Sequence, residues 1–154
     1  MTTAPESPLA VLVAEDEFLI RLAAIAALDH AGFEVLDAGS AEEALSLLVR
    51  RADVAVLFTD INMPGRMNGL DLAFEVRRRW PAIGLLLTSG NARPSDLKML
   101  GGARFLAKPY MAAELVAGME ALIALPGRAP LKAPADRKGA VWTARAHRYR
   151  RHRF

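Results

Sequence analysis

Five short strand-like runs recur along this chain, at residues 9–14, 33–38, 54–60, 83–87 and 104–107, the second alternating apolar and acidic residues and the others mainly apolar. Each is bounded by turn signals and followed by a longer stretch with helical periodicity. Runs of this length and punctuation read as strands buried in a sheet rather than as helices. Strands that alternate with helices imply a parallel, doubly wound sheet with right-handed crossovers. Five of each make a (βα)5 chain, for which the flavodoxin-like strand order 2-1-3-4-5 is the natural arrangement.

The segments between the runs carry the matching helix signals. After the first run come Leu19, Leu22, Ala23, Ile25, Ala26 and Ala27, a broad apolar face closed by Asp29, His30 and Gly32. His30 reads as a surface residue at a helix end, because no second histidine accompanies it as a co-ligand. Ser40 and Glu43 form a Ser-x-x-Glu capping box ahead of Ala44, Leu45, Leu47 and Leu48, with Arg50 and Arg51 at the favourable end of the dipole. Residues 69–80 read as a helix with Leu70, Leu72, Ala73, Phe74 and Val76 inward, stopped by Pro81. The fourth helix, starting near Pro94 and Ser95, is short or irregular because Gly101 and Gly102 arrive early. The last helix covers about 111–125, with Leu115, Val116, Met119, Leu122 and Ile123 facing in and Gly118 weakening it by about 1 kcal/mol relative to Ala.

Composition narrows the chemistry. With 154 residues, 53% of them hydrophobic, the chain has enough apolar content for one domain with a sizeable core. There is no cysteine, which excludes disulfides, thiolate metal sites and thiol nucleophiles. Glu6 and the lack of a basic n-region argue against a signal peptide, and no apolar run approaches the roughly 18 residues of a membrane span, so a cytoplasmic protein is expected. The net charge of +3 conceals an asymmetry. Residues 1–127 hold 11 Lys/Arg against 16 Asp/Glu, a balance of −5, and residues 128–154 hold 9 Lys/Arg against one acid, a balance of +8. The body is acidic and the basic tail is an appendage.

In the expected strand order the first and third strands are neighbours at the switch point, where ligands bind beyond the carboxyl ends. Glu15, Asp16 and Asp60 would meet there. Taken alone, Asp60 is a metal ligand, a nucleophile or a solvated loop residue, since aspartate is common after strands. Three clustered carboxylates, however, repel by ~4 kcal/mol per pair at ~4 Å and an effective dielectric near 20, and such a cluster persists where a cation compensates it. Hard oxygen ligands favour Mg²⁺, whereas three acids leave Ca²⁺ under-coordinated. The fourth strand ends in Thr88 and the fifth in Lys108. Acids, a metal, a hydroxyl and an ammonium suit the handling of a phosphoryl group, with Asp60 as the nucleophile that forms an acyl phosphate.

These residues resemble the receiver domain of bacterial two-component response regulators, over about residues 8–126. The motifs that carry the resemblance are Glu15-Asp16 after the first strand, Asp60 in Thr-Asp-Ile-Asn-Met-Pro-Gly after the third, Thr88 after the fourth and Lys108-Pro109 after the fifth. Each is weak alone; in order and on the right strand ends they are strong. The resemblance implies that Asp60 is the phosphoacceptor and that Glu15, Asp16, Asp60 and the backbone carbonyl of Asn62 hold Mg²⁺. It implies that Thr88 moves toward the phosphoryl group, that Lys108 pairs with that group, and that the Lys108-Pro109 bond is cis. Phe105 matches the aromatic switch position, with plain core packing as the other reading. On the resemblance the donor is expected to be a phosphohistidine on a sensor histidine kinase or a phosphotransfer protein, and the output contact with a downstream protein. It also implies catalysis limited to the domain's own phosphorylation and dephosphorylation. The segment from Thr88 to Lys108 looks shorter than the family pattern. Only 27 residues follow Gly127, so the chain resembles the single-domain type.

Two other classes fit less well. A haloacid dehalogenase-type phosphatase expects an aspartate two residues after the nucleophile, where this chain has Asn62, which cannot act as a general acid. A dinucleotide or flavin module expects a glycine-rich turn after the first strand, where this chain has acids. The tail, with Pro126, Gly127, Pro130 and Pro134 followed by arginines interleaved with Trp142, Tyr149 and Phe154, is expected to be disordered over 127–154. Stacking of those aromatics on a nucleic acid, or docking on an acidic body, are the alternatives.

Overall fold

The computed structural model describes residues 7–124 except 52 and 92–94. Five parallel strands form one sheet: β1 (Ala10–Ala14), β2 (Glu34–Ala38), β3 (Val56–Asp60), β4 (Gly84–Ser89) and β5 (Arg104–Ala107). Their order is β2-β1-β3-β4-β5, as the alternation of runs and helices predicts. Every residue of β1, β3 and β4 is buried, whereas β2 and β5 are the half-exposed edges. That difference explains the composition: the three central strands are apolar on both faces, while β2 admits Glu34 and Asp37 and β5 admits Arg104.

Among the described residues four α-helices cover the sheet: α1 (Phe18–His30), α2 (Ala41–Arg50), α3 (Gly69–Arg79) and α4 (Ala112–Ile123). One core cluster joins Leu12, Leu57, Leu85 and Leu87 to Leu48 of α2 and Leu72 and Val76 of α3. The other joins Val11, Val13, Phe58 and Leu86 to Leu28 of α1 and Leu115, Met119 and Leu122 of α4. The sheet is thus packed on both faces, and the carboxyl edge of β1, β3 and β4 is left open between the helix layers.

Local signals set the helix ends. Gly32 adopts φ +104° just past α1, which turns the chain so that the Phe33 N–H reaches back to the Leu28 carbonyl at 3.1 Å and closes the last turn. Ser40 Oγ accepts the Glu43 N–H at 3.1 Å, but the Glu43 carboxylate takes the Gly39 N–H instead of the cap residue's own, so only half of the expected box forms. The full reciprocal box occurs at α3, between Asn68 and Asp71. His30 is exposed at the end of α1.

The fourth helix is short and irregular as expected, and one other expectation needs correction. Among the described residues the fourth helix is only a 3-10 segment, Ser95–Met99. Gly101 and Gly102 (φ +84°) stop it, and Arg77 Nη1 fixes the turn by donating to the Gly101 carbonyl at 2.7 Å; Pro94 lies outside the described residues. The inward face of α1 is only partly the predicted one: Ile25 is buried and Leu22 and Ala27 are half-buried as expected. Ala24 and Leu28 are also buried, while Leu19 is 76% exposed and Ala23 and Ala26 face solvent. A helix apolar nearly all round gives periodicity little with which to choose a face. Residues 125–154, which hold the predicted tail and the end of the predicted last helix, lie outside the described residues.

Candidate functional site

The carboxyl edge of the sheet gathers the charged residues. β3 ends at Asp60, which pairs in register with Thr88 of β4. Glu15 directly follows β1 and continues its ladder by donating its N–H to the Ala38 carbonyl at 3.0 Å. Lys108 directly follows β5, anchored by its N–H to the Ser89 carbonyl at 3.0 Å. The peptide bond from Lys108 to Pro109 is cis, turning the chain out of the sheet toward α4. Gly69, the first residue of α3, packs against the Asp60 peptide so closely that a Cβ there would lie 1.6 Å from the Asp60 carbonyl oxygen.

Carboxylate oxygens of Glu15, Asp16 and Asp60 all lie within 4.8 Å of one another. Glu15 and Asp60 are buried and Asp16 is half-buried. Lys108 Nζ bridges two of them, at 2.7 Å from Asp60 Oδ2 and 3.1 Å from Glu15 Oε2. Glu15 Oε1 also accepts the Glu17 N–H, and Asp60 Oδ1 accepts the Asn62 N–H. Burial raises the Glu15 carboxyl above its usual range, and repulsion from Asp60 adds to that, while the Lys108 hydrogen bond opposes it. Burial works against the Lys108 ammonium, but its bonds to Asp60 and Glu15 outweigh this and hold it above the ordinary lysine value. The Thr88 hydroxyl is buried and has no partner among the described residues, which leaves a donor free for an incoming acceptor.

The structure therefore brings together Glu15, Asp16, Asp60, Lys108 and Thr88 at one edge. Asn62 is exposed beyond Asp60, its amide donating to Ser89 Oγ at 2.9 Å. Phe105 is placed apart: it pairs with Leu87 rather than Thr88 and is half-buried against the core cluster on the α2 and α3 side. Sequence reasoning passed over Tyr110. Its ring stands edge-on to Phe58 at 5.6 Å on the opposite face of the sheet, and burial, helped by the negative charge of Glu15, pushes its hydroxyl up to about 12. It also passed over Arg21, whose guanidinium reaches the Glu15 carbonyl from α1. Nothing local marks either residue; only the folded arrangement does.

Fold and site together define a doubly wound domain whose switch-point crevice gathers three acids, an ammonium and a buried hydroxyl. The chain belongs to the response regulator receiver domain family, whose model matches residues 11–120. Members are phosphoacceptor signalling domains of two-component systems rather than classical enzymes, and they work with histidine kinases and downstream effectors. This chain is similar to the hydrogenase transcriptional regulatory protein HoxA of Cupriavidus necator, 36% identical over 110 residues, covering 69% of this chain and 22% of that protein. It is similar to the transcriptional regulatory protein PdtaR of Mycobacterium tuberculosis, 32% identical over 117 residues, covering 73% of this chain and 56% of that protein. Among solved structures it resembles response regulator protein TrrA of Thermotoga maritima in complex with Mg²⁺ and BeF, with a TM-score of 0.67 and 28% identity over 74% of this chain and 98% of that one. The chain thus spans less than two thirds of the length of either regulator named here. No helix among the described residues is long and apolar enough to cross a membrane.

Proposed function

We propose that this chain accepts a phosphoryl group on Asp60 from the phosphohistidine of a sensor histidine kinase or phosphotransfer protein. The observation that carries the reading is the convergence of Glu15, Asp16 and Asp60 oxygens within 4.8 Å, with Lys108 bound to two of them. An Asp60 carboxylate oxygen attacks phosphorus, the P–N bond breaks, and the imidazole leaves with its electron pair. Lys108 binds a phosphoryl oxygen, and the unpartnered Thr88 hydroxyl supplies a further donor. The donor set is all hard oxygen, which fits Mg²⁺ held by Glu15, Asp16, Asp60 and the Asn62 backbone carbonyl. When bound, the ion neutralises charge shared between carboxylate and phosphoryl oxygens. Phe18 and Leu19, exposed on α1 just past the acids, and Met111, exposed just past Lys108, give this edge apolar surface suited to docking the donor.

Output follows from the new charge. A phosphoryl group adds roughly −2, which draws the Thr88 hydroxyl inward and lets Phe105 turn further into the core. Moving such a switch from 1:99 to 99:1 takes about 5.5 kcal/mol of differential interaction, within reach of a dianion held by Lys108, a hydroxyl and a cation. The surface around the Ser95–Met99 segment, β5 and α4 then changes shape for a downstream protein. We infer that residues 8–126 form the functional unit. Incubation with acetyl phosphate and Mg²⁺ is expected to add one phosphoryl group by intact mass, to the chain cut after Gly127 as to the full chain. Asp60→Asn is expected to abolish it; equal labelling of that variant would disprove the assignment.

A further inference from the structure

Glu15 and Asp16 stand in the irregular stretch between β1 and α1, where the sheet ladder no longer fixes the backbone beyond the Glu15 N–H. Asp16 is aimed by the peptide plane that joins it to Glu15. The carbonyl of that peptide accepts a 2.7 Å hydrogen bond from Arg21 Nη1. Arg21 is itself held from a second strand, with Nε 3.1 Å from Asp37 Oδ2 on β2. The Nε–H is not aimed at that oxygen, so the contact is an ion pair rather than a hydrogen bond. The guanidinium occupies space that Gly39 leaves: a Cβ there would lie 2.9 Å from Nη1. The Phe18 ring flanks it at 5.8 Å. One side chain thus ties α1, the end of β2 and the acidic turn together, with only 15% of it exposed.

We propose that Arg21 is a positioning residue for the divalent cation, holding the Glu15–Asp16 peptide so that both carboxylates converge with Asp60. This rests on the cation site proposed above. The sign of the effect separates positioning from simple charge. A guanidinium near a cation site repels the cation, so electrostatics alone predicts tighter Mg²⁺ binding once Arg21 is neutralised. Positioning predicts weaker binding, because residues that orient metal ligands typically contribute 10–100-fold in affinity. Lysine cannot bridge the Glu15 carbonyl and Asp37 as the planar fork does, so restoring the charge is not enough.

The test is Mg²⁺ titration of the full chain without phosphodonor, followed by the amide shifts of Asp60 and Ile61. Arg21→Gln is expected to weaken Mg²⁺ about 10-fold, and Arg21→Lys to stay closer to Gln than to wild type. With no metal present, amide exchange at Asp16 and Glu17 is expected to accelerate in Arg21→Gln. Gly39→Ala, which nudges the movable tip of Arg21 at Nη1 and leaves every charge in place, is expected to weaken Mg²⁺ by less than Arg21→Gln does; it decides the matter if the Arg21 variants do not fold. Unchanged or tighter Mg²⁺ binding in Arg21→Gln overturns the proposal, as does wild-type affinity in Gly39→Ala. Failure of the wild-type chain to bind Mg²⁺ would instead sink the cation site itself.

Discussion

Gly69→Ala is the sharpest test of how the fold positions the phosphoacceptor strand. The added Cβ would lie 1.6 Å from the Asp60 carbonyl oxygen and 2.9 Å from Ile61 Cα. Even a tight contact of about 3.0 Å demands a shift of at least ~1.4 Å, and the atoms in the way are backbone rather than a flexible side-chain tip. That backbone is pinned: the Ile61 N–H donates to the Thr88 carbonyl and the Gly69 N–H to the Ile61 carbonyl, both at 2.9 Å, and Thr59 Oγ1 donates to the Asp60 carbonyl at 3.0 Å. Losing one or two of these costs ~1 kcal/mol each, and overpacking adds ~1–3 kcal/mol. Alanine's better helix propensity returns at most ~1 kcal/mol. The net is about 2–3 kcal/mol, or roughly a 10 °C fall in Tm for a domain of this size. Phosphorylation from acetyl phosphate should fall further than stability does, because the displaced atoms belong to Asp60. Gly90→Ala, where a Cβ meets nothing within 4 Å among the described residues, is the matched control. A Gly69→Ala Tm within about 2 °C of wild type, with a wild-type labelling rate, would refute the reasoning.

Thr88→Val removes a buried hydroxyl that has no partner, so Tm is expected to hold or rise by a few degrees, while phosphorylation-induced amide shifts over residues 88–112 shrink. Lys108→Met leaves Glu15 and Asp60 facing each other unbridged; metal-free stability should fall by about 3 kcal/mol, and the Tm gain on adding Mg²⁺ should exceed the wild-type gain, as read by calorimetry. Tyr110 carries an alkaline signature: with its folded value near 12 against an ordinary 10.0, the folded state binds the proton more tightly. Its contribution is therefore complete below pH 10 and lost as pH rises from 10 to about 12. Denaturant titrations of Tyr110→Phe should show a shallower loss across that window, and an identical slope would count against the assignment.

Most of the fold was legible because each strand was marked twice, by an apolar run and by the turn that ended it. The central strands β1, β3 and β4 are buried throughout, so nothing in their composition competed with the strand reading. Thr88, Asp60 and Lys108 were legible for the same reason: a polar residue at the end of such a run has one place to go. The α1 face was not, because its residues are apolar on every side and the choice between Leu19 and Leu28 was made by tertiary packing. Arg21 was invisible because its three contacts, the Glu15 carbonyl, Asp37 and the Phe18 ring, come from three elements. Gly69 looked like an ordinary helix start; its constraint comes from the Asp60 carbonyl, nine residues earlier.

The burial pattern also bears on where a change at Asp60 can travel. β1 and β3 are buried along their whole length and paired on both sides, so displacing either disturbs both core clusters. β5 is an edge strand of four residues, paired only with β4, and its two ends are exposed. Among the described residues its connection to β4 holds the 3-10 segment and no longer helix. Thr88 pairs with Leu106 and the preceding Leu87 with Phe105. A pull on the Thr88 backbone therefore meets its least resistance toward β5, and the ring it reaches first on the α3 side is Phe105. On the proposed reading, the route from phosphoacceptor to surface is set less by which side chain touches Asp60 than by which neighbouring strand the core holds most loosely.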